Sequence, residues 1–427
     1  MNKYDSERMV GALGHHNFTL TEDAHSADVV LLNTCSIRAK AEQKFFSRLG
    51  RLKKYKVQNP NMIIGVGGCT GQIDSKAILN RAPYVDLVFG TLNIHRLPYL
   101  LEKISAEGGP VSEIFSDAGN NLEDYPVSRE NNIQAWVSIM YGCNNYCSYC
   151  VVPYTRGREK SRTSSSILNE IKILAGQGYK EITLLGQNVN SYGLDYSEGL
   201  TFPKLLIKVE EIPGIERVRF VTSHPKDFSK ELINAIRDCD KVCEQIHLPA
   251  QSGSNKILSL MNRGYKIEDY IEKINLLKSN IPGVALSTDI IVGFPGETER
   301  DFQATINLIK KIEFDNVFLF KYSPRANTAA AGLPNPIDEK TKKSRFEVLL
   351  NLQKSITIKL NKNLEGKVEK ILVEGKSKNN FYKLTGRTRT NKVTNFLEGN
   401  GLIGKIIPIK IVRSGLYSLD GQVIERP

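Results

Sequence analysis

Between residue 135 and about 324, six short apolar runs alternate with stretches of helical periodicity, and this alternation confines the chain to few folds. The runs cover residues 135–140, 181–185, 217–222, 243–248, 284–292 and 316–322. Parallel strands joined by helical crossovers satisfy such a pattern. Six of them make a partial (β/α)6 barrel, whose working groups gather on the loops that follow the strands.

The flanking regions read differently. Near the N-terminus, runs at 27–35 and 62–69 each end in a cysteine, a helical stretch lies at 40–56, and a further strand is expected at 85–90. This is the pattern of an open parallel α/β sheet, in which ligands sit beyond the carboxyl ends of strands, where Cys35 and Cys69 fall. The polar stretch 107–132 reads as a linker. Residues 338–362 suggest a long basic amphipathic helix with apolar points at Phe346, Leu349, Leu350 and Leu352. Beyond it, short runs at 368–373, 381–385, 409–412 and 421–424 with glycine turns suggest a small β-barrel. The expected division is 1–106, a linker at 107–132, a core at 133–360 and a barrel at 361–427, an α/β protein throughout its first two domains.

Lys and Arg outnumber Asp and Glu by 58 to 46, a net charge of +12. Such a balance attracts polyanions at low salt, yet a solvated Lys-rich surface has the same composition, so charge leaves both readings open. No stretch offers the ~20 apolar residues of a membrane span, and the polar start Met1 to Arg8 lacks the apolar core of a secretory signal. A cytoplasmic protein with no membrane partner is expected. Seven cysteines, three of them within eight residues, favour metal ligation over disulfides in that compartment.

Those three stand in Cys143-Asn144-Asn145-Tyr146-Cys147-Ser148-Tyr149-Cys150. Three thiolates at this spacing on one loop can bind three irons of a [4Fe–4S] cluster and leave the fourth iron open to a ligand. A structural zinc site normally needs a fourth Cys or His close by, and none follows locally. Three unrelated buried thiols are the remaining alternative.

The spacing, the aromatic Tyr149 and the position after the first barrel strand resemble the radical S-adenosylmethionine (SAM) superfamily. The segments Val152-Pro153-Tyr154-Thr155-Arg156-Gly157-Arg158, Gly186-Gln187-Asn188-Val189-Asn190-Ser191-Tyr192-Gly193, Ser223-His224-Pro225, His247-Leu248-Pro249-Ala250-Gln251-Ser252-Gly253-Ser254 and Tyr322-Ser323-Pro324-Arg325 resemble the methylthiotransferases within it. The wording is most similar to the branch that acts on isopentenylated adenosine in tRNA. The resemblance covers nearly the whole chain and implies a β-barrel of the TRAM type at its end.

It implies insertion of a methylthio group at C2 of N6-isopentenyladenosine beside the tRNA anticodon. One SAM would methylate a sulfur on an auxiliary cluster, and a second, reductively cleaved, would supply a 5′-deoxyadenosyl radical. By the same resemblance Cys143, Cys147 and Cys150 hold the radical SAM cluster, while Cys35 and Cys69 hold the auxiliary [4Fe–4S] cluster. Gly186 and Gln187 hold the SAM amino group, Gly293 and Pro295 lie beside its adenine, although taken alone that loop reads equally as an ordinary Gly-Pro turn, and a flavodoxin or ferredoxin donates electrons. No catalytic side chain beyond the cluster ligands is singled out, and the oligomeric state is open. The family's first auxiliary cysteine precedes an Asn and an Asp-Ser-Glu, whereas this chain begins at Met1-Asn2 with Asp5-Ser6-Glu7 following. A start placed downstream of the natural one is therefore expected, with the first strand missing and the domain destabilised by its loss.

Arg156, Arg158, Lys160 and Arg162 after the cluster loop, with Arg387 and Arg389 on the barrel, are the candidate phosphate contacts, against the alternative of a solvated face. The target base must leave its stack, which costs less in an anticodon loop than in a duplex. Cys239 and Cys243 read as structural thiols, His15 and His16 as a solvated turn, and His224 and His247 as either substrate contacts or packed turns. The rival readings are methylthiotransferases acting on threonylcarbamoyladenosine or on a ribosomal-protein aspartate, and, from another class, a non-catalytic metal-cluster RNA-binding protein.

Overall fold

The chain divides into two units, one of Met1–Glu130, Trp136–Tyr146 and Cys150–Ile167, the other of Asn131–Ala135, Cys147–Tyr149 and Leu168–Pro427. The computed structural model describes all residues except 35–38, 116–126, 130, 196–198, 379, 398–400 and 425–427.

In the first unit α1 (Asn2–Gly14), β1 (Val29–Thr34), α2 (Ala39–Gln58), β2 (Ile63–Gly68), α3 (Cys69–Arg81), β3 (Leu87–Phe89), α4 (Leu97–Glu107) and β4 (Val111–Glu113) follow one another. The strands form a parallel sheet of order β1-β2-β3-β4. Phe45, Leu49 and Leu52, spaced to share one face of α2, pack with Met62, Ile64, Val66 and Ile78. A second cluster joins Met9, Leu87, Phe89, Leu97 and Leu100. The sheet is continuous, since β1 pairs with β2 from Val29↔Ile63 to Thr34↔Gly68. No gap separates these strands, although residues 29–33 of the edge strand are only half-buried. The expected linker is corrected at its start. Residues 111–113 pair with β3, a strand too short to carry a legible alternation, and 116–126 lie outside the described residues.

Next come β5 (Gln134–Ser138), β6 (Met140–Tyr141), α5 (Val152–Arg156), β7 (Lys160–Ser161) and α6 (Ser164–Gly176). The antiparallel pair of β6 with β7 brackets, in sequence, the cysteine loop.

The second unit continues through β8 (Glu181–Leu185), α7 (Phe202–Glu210), β9 (Arg217–Val221), α8 (Lys230–Asp238), β10 (Gln245–His247), α9 (Asn255–Leu260), α10 (Ile267–Asn280), β11 (Ala285–Val292), α11 (Glu299–Ile312), β12 (Asn316–Lys321) and α12 (Glu339–Lys362). Strand β8 pairs parallel with β9, a parallel bridge joins Val218 to Val242, and β10, β11 and β12 pair parallel in that order. Every strand expected in this region is present. Helix α12 buries Leu349 and Ile356 but also Lys342, Arg345 and Gln353, so its inner stripe is partly polar rather than the apolar row expected. Two of these polar groups are held by partners: Arg345 Nη1 pairs with Glu297 at 2.6 Å, and Gln353 Nε2 donates to the Phe314 carbonyl at 2.7 Å.

Last, β13 (Val368–Lys376), β14 (Lys383–Arg387), β15 (Val393–Leu397), β16 (Ile406–Ser414) and β17 (Leu419–Val423) close a barrel of order β13-β14-β15-β17-β16 around Ile371, Val373, Phe396, Ile409, Ile411 and Leu419. Strand β15 was not expected because one of its two inward residues is Thr394, which breaks the apolar alternation. Among the described residues no helix is long and apolar enough to cross a membrane.

Candidate functional site

The carboxyl ends of β8, β9 and β10 concentrate polar side chains that the fold does not satisfy. Gln187 Nε2, Asn188 Oδ1, Asn190 Oδ1, Ser223 Oγ, His224 Nε2 and Gln251 Oε1 are sealed from solvent without hydrogen-bond partners. Each such atom costs about 1–3 kcal/mol unless a ligand or an ordered water completes it. The backbone is strained at the same place: Thr222 and Gln251 adopt φ of 71° and 70°, a region costly for residues with a Cβ. The Val189 amide holds the Thr222 carbonyl at 2.9 Å, and Thr288 on β11 accepts the Ala250 amide and donates to the Leu248 carbonyl. The loops are thus fixed before any ligand arrives.

His224 has a defined tautomer. Its Nδ1 accepts the Lys226 amide at 3.2 Å, which leaves the proton on the unpartnered Nε2. Burial, reinforced by the positive charges of Arg263, Lys226 and Lys273, pushes its pKa down to about 2. The ring is a neutral donor, packed edge-on against Tyr265. His247, at the end of β10, lies 3.0 Å from Ser287 Oγ and 3.6 Å from Asp289, edge-on to Phe318.

After β11, Gly293 takes φ of 72° and its amide donates to Glu297 at 2.7 Å. Burial pushes the Glu297 carboxyl up, while the Gly293 amide and Arg345 oppose the shift. Pro295 lines a cavity of about 420 Å3 with Gly296, Lys256, Leu333 and Asn335.

Cys143, Cys147 and Cys150 are all half-exposed, whereas Cys239 and Cys243 are buried. Gly142, just before the first of them, takes φ of 66°, and a Cβ there would meet the Arg158 carbonyl at 2.0 Å. In the first unit the Cys143 amide donates to the Gly157 carbonyl at 3.3 Å, and Asn145 Nδ2 lies 3.5 Å from Cys143 Sγ. In the second unit Arg263 Nη1 lies 3.4 Å from Cys147 Sγ. Partly accessible thiols met by N–H donors fit ligands of a cluster. Among the described residues no three His, Cys, Asp or Glu groups converge as they would on a single metal ion. Cluster cysteines each bind a different iron and need no such convergence.

Cys69 opens α3 directly after β2 and is buried beside Arg156, which also pairs with Asp5 of α1 at 2.5 Å. Thr34 and Gly68, register partners, each immediately precede an expected auxiliary ligand. Cys35 itself lies outside the described residues.

The basic residues expected to face RNA are mostly used internally. Arg156 is buried against Asp5, and Arg162 is buried with Nη1 on the Ser138 carbonyl at 2.6 Å. Arg387 pairs with Glu374 at 3.1 Å, and Arg389 pairs with Glu244 at 2.7 Å while donating to the Val242 carbonyl. Arg158 is exposed. Sequence charge does not distinguish a guanidinium consumed by the fold from one offered to solvent. Arg263 and Tyr265 were not anticipated; the signal available was Asn262-Arg263-Gly264 after α9, where φ of 56° at Asn262 and 67° at Gly264 turn the chain sharply.

Comparison with known proteins bears on these features. Residues 1–90 match the uncharacterized protein family UPF0004, 137–309 the radical SAM superfamily and 362–424 the TRAM domain. The tRNA-2-methylthio-N(6)-dimethylallyladenosine synthase of Thermoanaerobacter pseudethanolicus is 51% identical, covering 100% of this chain and 91% of that protein. The enzyme of the same name from Thermodesulfovibrio yellowstonii is 51% identical, covering 99% and 96%. Among solved structures, the radical SAM methyltransferase TsrM from Kitasatospora setae, with cobalamin and a [4Fe-4S] cluster bound, is similar with a TM-score of 0.57. It is 16% identical and covers 77% of this chain and 74% of that one, so this likeness speaks to fold alone.

Proposed function

Since the chain belongs to the tRNA-2-methylthio-N(6)-dimethylallyladenosine synthases, radical SAM methylthiotransferases, we propose that it methylthiolates C2 of N6-isopentenyladenosine beside the anticodon of tRNA. The observation that carries this reading beyond family membership is the set of unpartnered buried polar atoms at the ends of β8, β9 and β10. Donors on Gln187 and His224 and acceptors on Asn188, Asn190 and Gln251 suit a zwitterionic amino acid joined to a nucleoside, and a purine beside it.

Cys143, Cys147 and Cys150 would hold one [4Fe–4S] cluster, and Cys35 and Cys69 would contribute to a second, the half-exposed or strand-end positions of the described four supporting this assignment. When bound, the clusters supply the electron that cleaves SAM and the sulfur that is transferred. Gly186 and Gln187 would face the SAM amino group, with Gly293 and Pro295 beside its adenine. The chain's own residues orient and shield. His224 offers a fixed proton on Nε2 to an acceptor, and Thr288 ties down the loop that carries Gln251.

For tRNA, exposed Arg158 remains a phosphate contact, and Phe381 and Tyr382, 78% and 87% exposed before β14, offer a stacking platform. We assign residues 1–113 to the auxiliary-cluster domain, the stretch from there to 132 to a connection, 133–360 to the radical SAM core and 361–427 to the RNA-binding barrel, a tRNA substrate implying work in the cytoplasm with a small electron-transfer protein as donor.

The test is anaerobic reconstitution followed by mass spectrometry of isopentenylated tRNA, beside a Cys143→Ala, Cys147→Ala, Cys150→Ala variant. Methylthio product from the parent and none from the variant is expected. Iron-loaded parent protein that neither cleaves SAM nor modifies tRNA would sink the reading.

A further inference from the structure

We propose that Arg263 is a positioning residue for Cys147, holding its sulfur by an N–H···S contact and placing a fixed positive charge on that corner of the cluster. This rests on the reading of Cys147 as a cluster ligand.

The guanidinium is buried, with the residue 4% exposed. Nη2 donates to the Pro249 carbonyl at 2.8 Å, and Nη1 lies 3.4 Å from Cys147 Sγ and 3.5 Å from the Tyr149 hydroxyl. The Tyr265 ring lies 5.5 Å from its central carbon. These partners are a carbonyl, a thiol, a phenol and an aromatic face. A buried cation among neutral groups is costly, and a nearby anion removes most of the cost. A Cys147 thiolate in an anionic cluster supplies that charge at the contact distance already present.

The same turn grips the loop in two further places. The Ser148 amide donates to the Met261 carbonyl at 3.0 Å, and Ser148 Oγ donates to the Leu260 carbonyl at 2.7 Å. The turn is itself fixed, because the Arg263 amide holds the Leu258 carbonyl at 3.0 Å. The centre of the cysteine loop is therefore pinned through both backbone and sulfur, and an Nη1–H aimed at Sγ persists when the sulfur ligates iron. Hydrogen bonds and positive charge at cluster sulfurs stabilise the reduced state and raise the reduction potential. Arg263 is thus assigned to making the one-electron reduction of the cluster easier.

The test uses the full chain carrying Cys35→Ala and Cys69→Ala, so that one cluster is observed, reduced by dithionite and followed by electron paramagnetic resonance at poised potentials. Arg263→Gln is expected to keep the parent's iron content and shift the midpoint to more negative potential, with Arg263→Lys in between. An unchanged midpoint in iron-loaded Arg263→Gln overturns the inference alone. If Arg263→Gln takes up no iron, Arg263→Lys decides: iron restored with a lowered midpoint supports the inference, and iron restored at the parent midpoint overturns it. A parent chain that takes up no iron overturns the cluster reading as well.

Discussion

Arg156 on α5 and Asp5 on α1 meet at 2.5 Å with both side chains almost wholly enclosed. Removing one partner of such a pair leaves the other charged and buried, which costs about 3–5 kcal/mol. Asp5→Ala should therefore lower the unfolding free energy of the first unit, read from denaturant titrations, by that order, and Arg156→Met/Asp5→Leu together should cost less than either single change. A double variant that loses the sum of the two single losses would mean that the pair is not coupled.

Arg389 and Arg158 should separate cleanly. Arg389→Ala breaks the contacts to Glu244 and Val242 and should cost about 2 kcal/mol of stability, with the salt dependence of tRNA binding unchanged. Arg158→Ala should leave stability alone and reduce the slope of log affinity against log salt by about 1. Binding measured by filter retention at several salt concentrations, beside thermal melts, distinguishes the two; the opposite pattern would return Arg389 to the RNA surface.

Phe381 and Tyr382 bury little on folding, so Phe381→Ala/Tyr382→Ala should not move the melting temperature. If bases stack there, tRNA affinity should fall by about 1–3 kcal/mol per base lost. Affinity unchanged in the double variant would remove this face from the interface.

His224 predicts an acid sensitivity. Its folded pKa is depressed to about 2, so below the unfolded value of ~6.5 the unfolded chain takes up a proton that the folded chain refuses. The stabilising contribution is complete above that value and declines as pH falls below it, by up to ~1.4 kcal/mol per pH unit. Denaturant midpoints from pH 7 to 5 should fall more steeply for the parent than for His224→Gln; parallel curves would contradict a buried neutral ring.

Much of the fold is legible because buried parallel strands are written as apolar runs, as in Glu181–Leu185 and Ala285–Val292. What escapes is burial of polar groups. Helix α1 hides Asp5, Glu7 and Arg8, in a stretch whose sequence shows only that it is polar, and Thr394 conceals β15. The cysteines at 143, 147 and 150 and the motifs after the strands mark the site, since their spacing is local. The turn at Arg263 is legible but its role is not, because its partners Pro249 and Cys147 lie 14 and 116 residues away, and only the fold brings them within reach.

Arg217 and Arg219, on β9, reach from the core to the C-terminal barrel and donate to main-chain carbonyls of Lys370, Arg387, Thr388 and Arg389 at 2.7–2.8 Å. Every acceptor here is a peptide oxygen, an atom that no substitution deletes. The barrel's outer side chains can therefore be rewritten, for another tRNA or another solvent, without loosening these four contacts. The same contacts make the two arginines irreplaceable by anything lacking a forked donor, so freedom to evolve is distributed very unequally across the two sides of this junction.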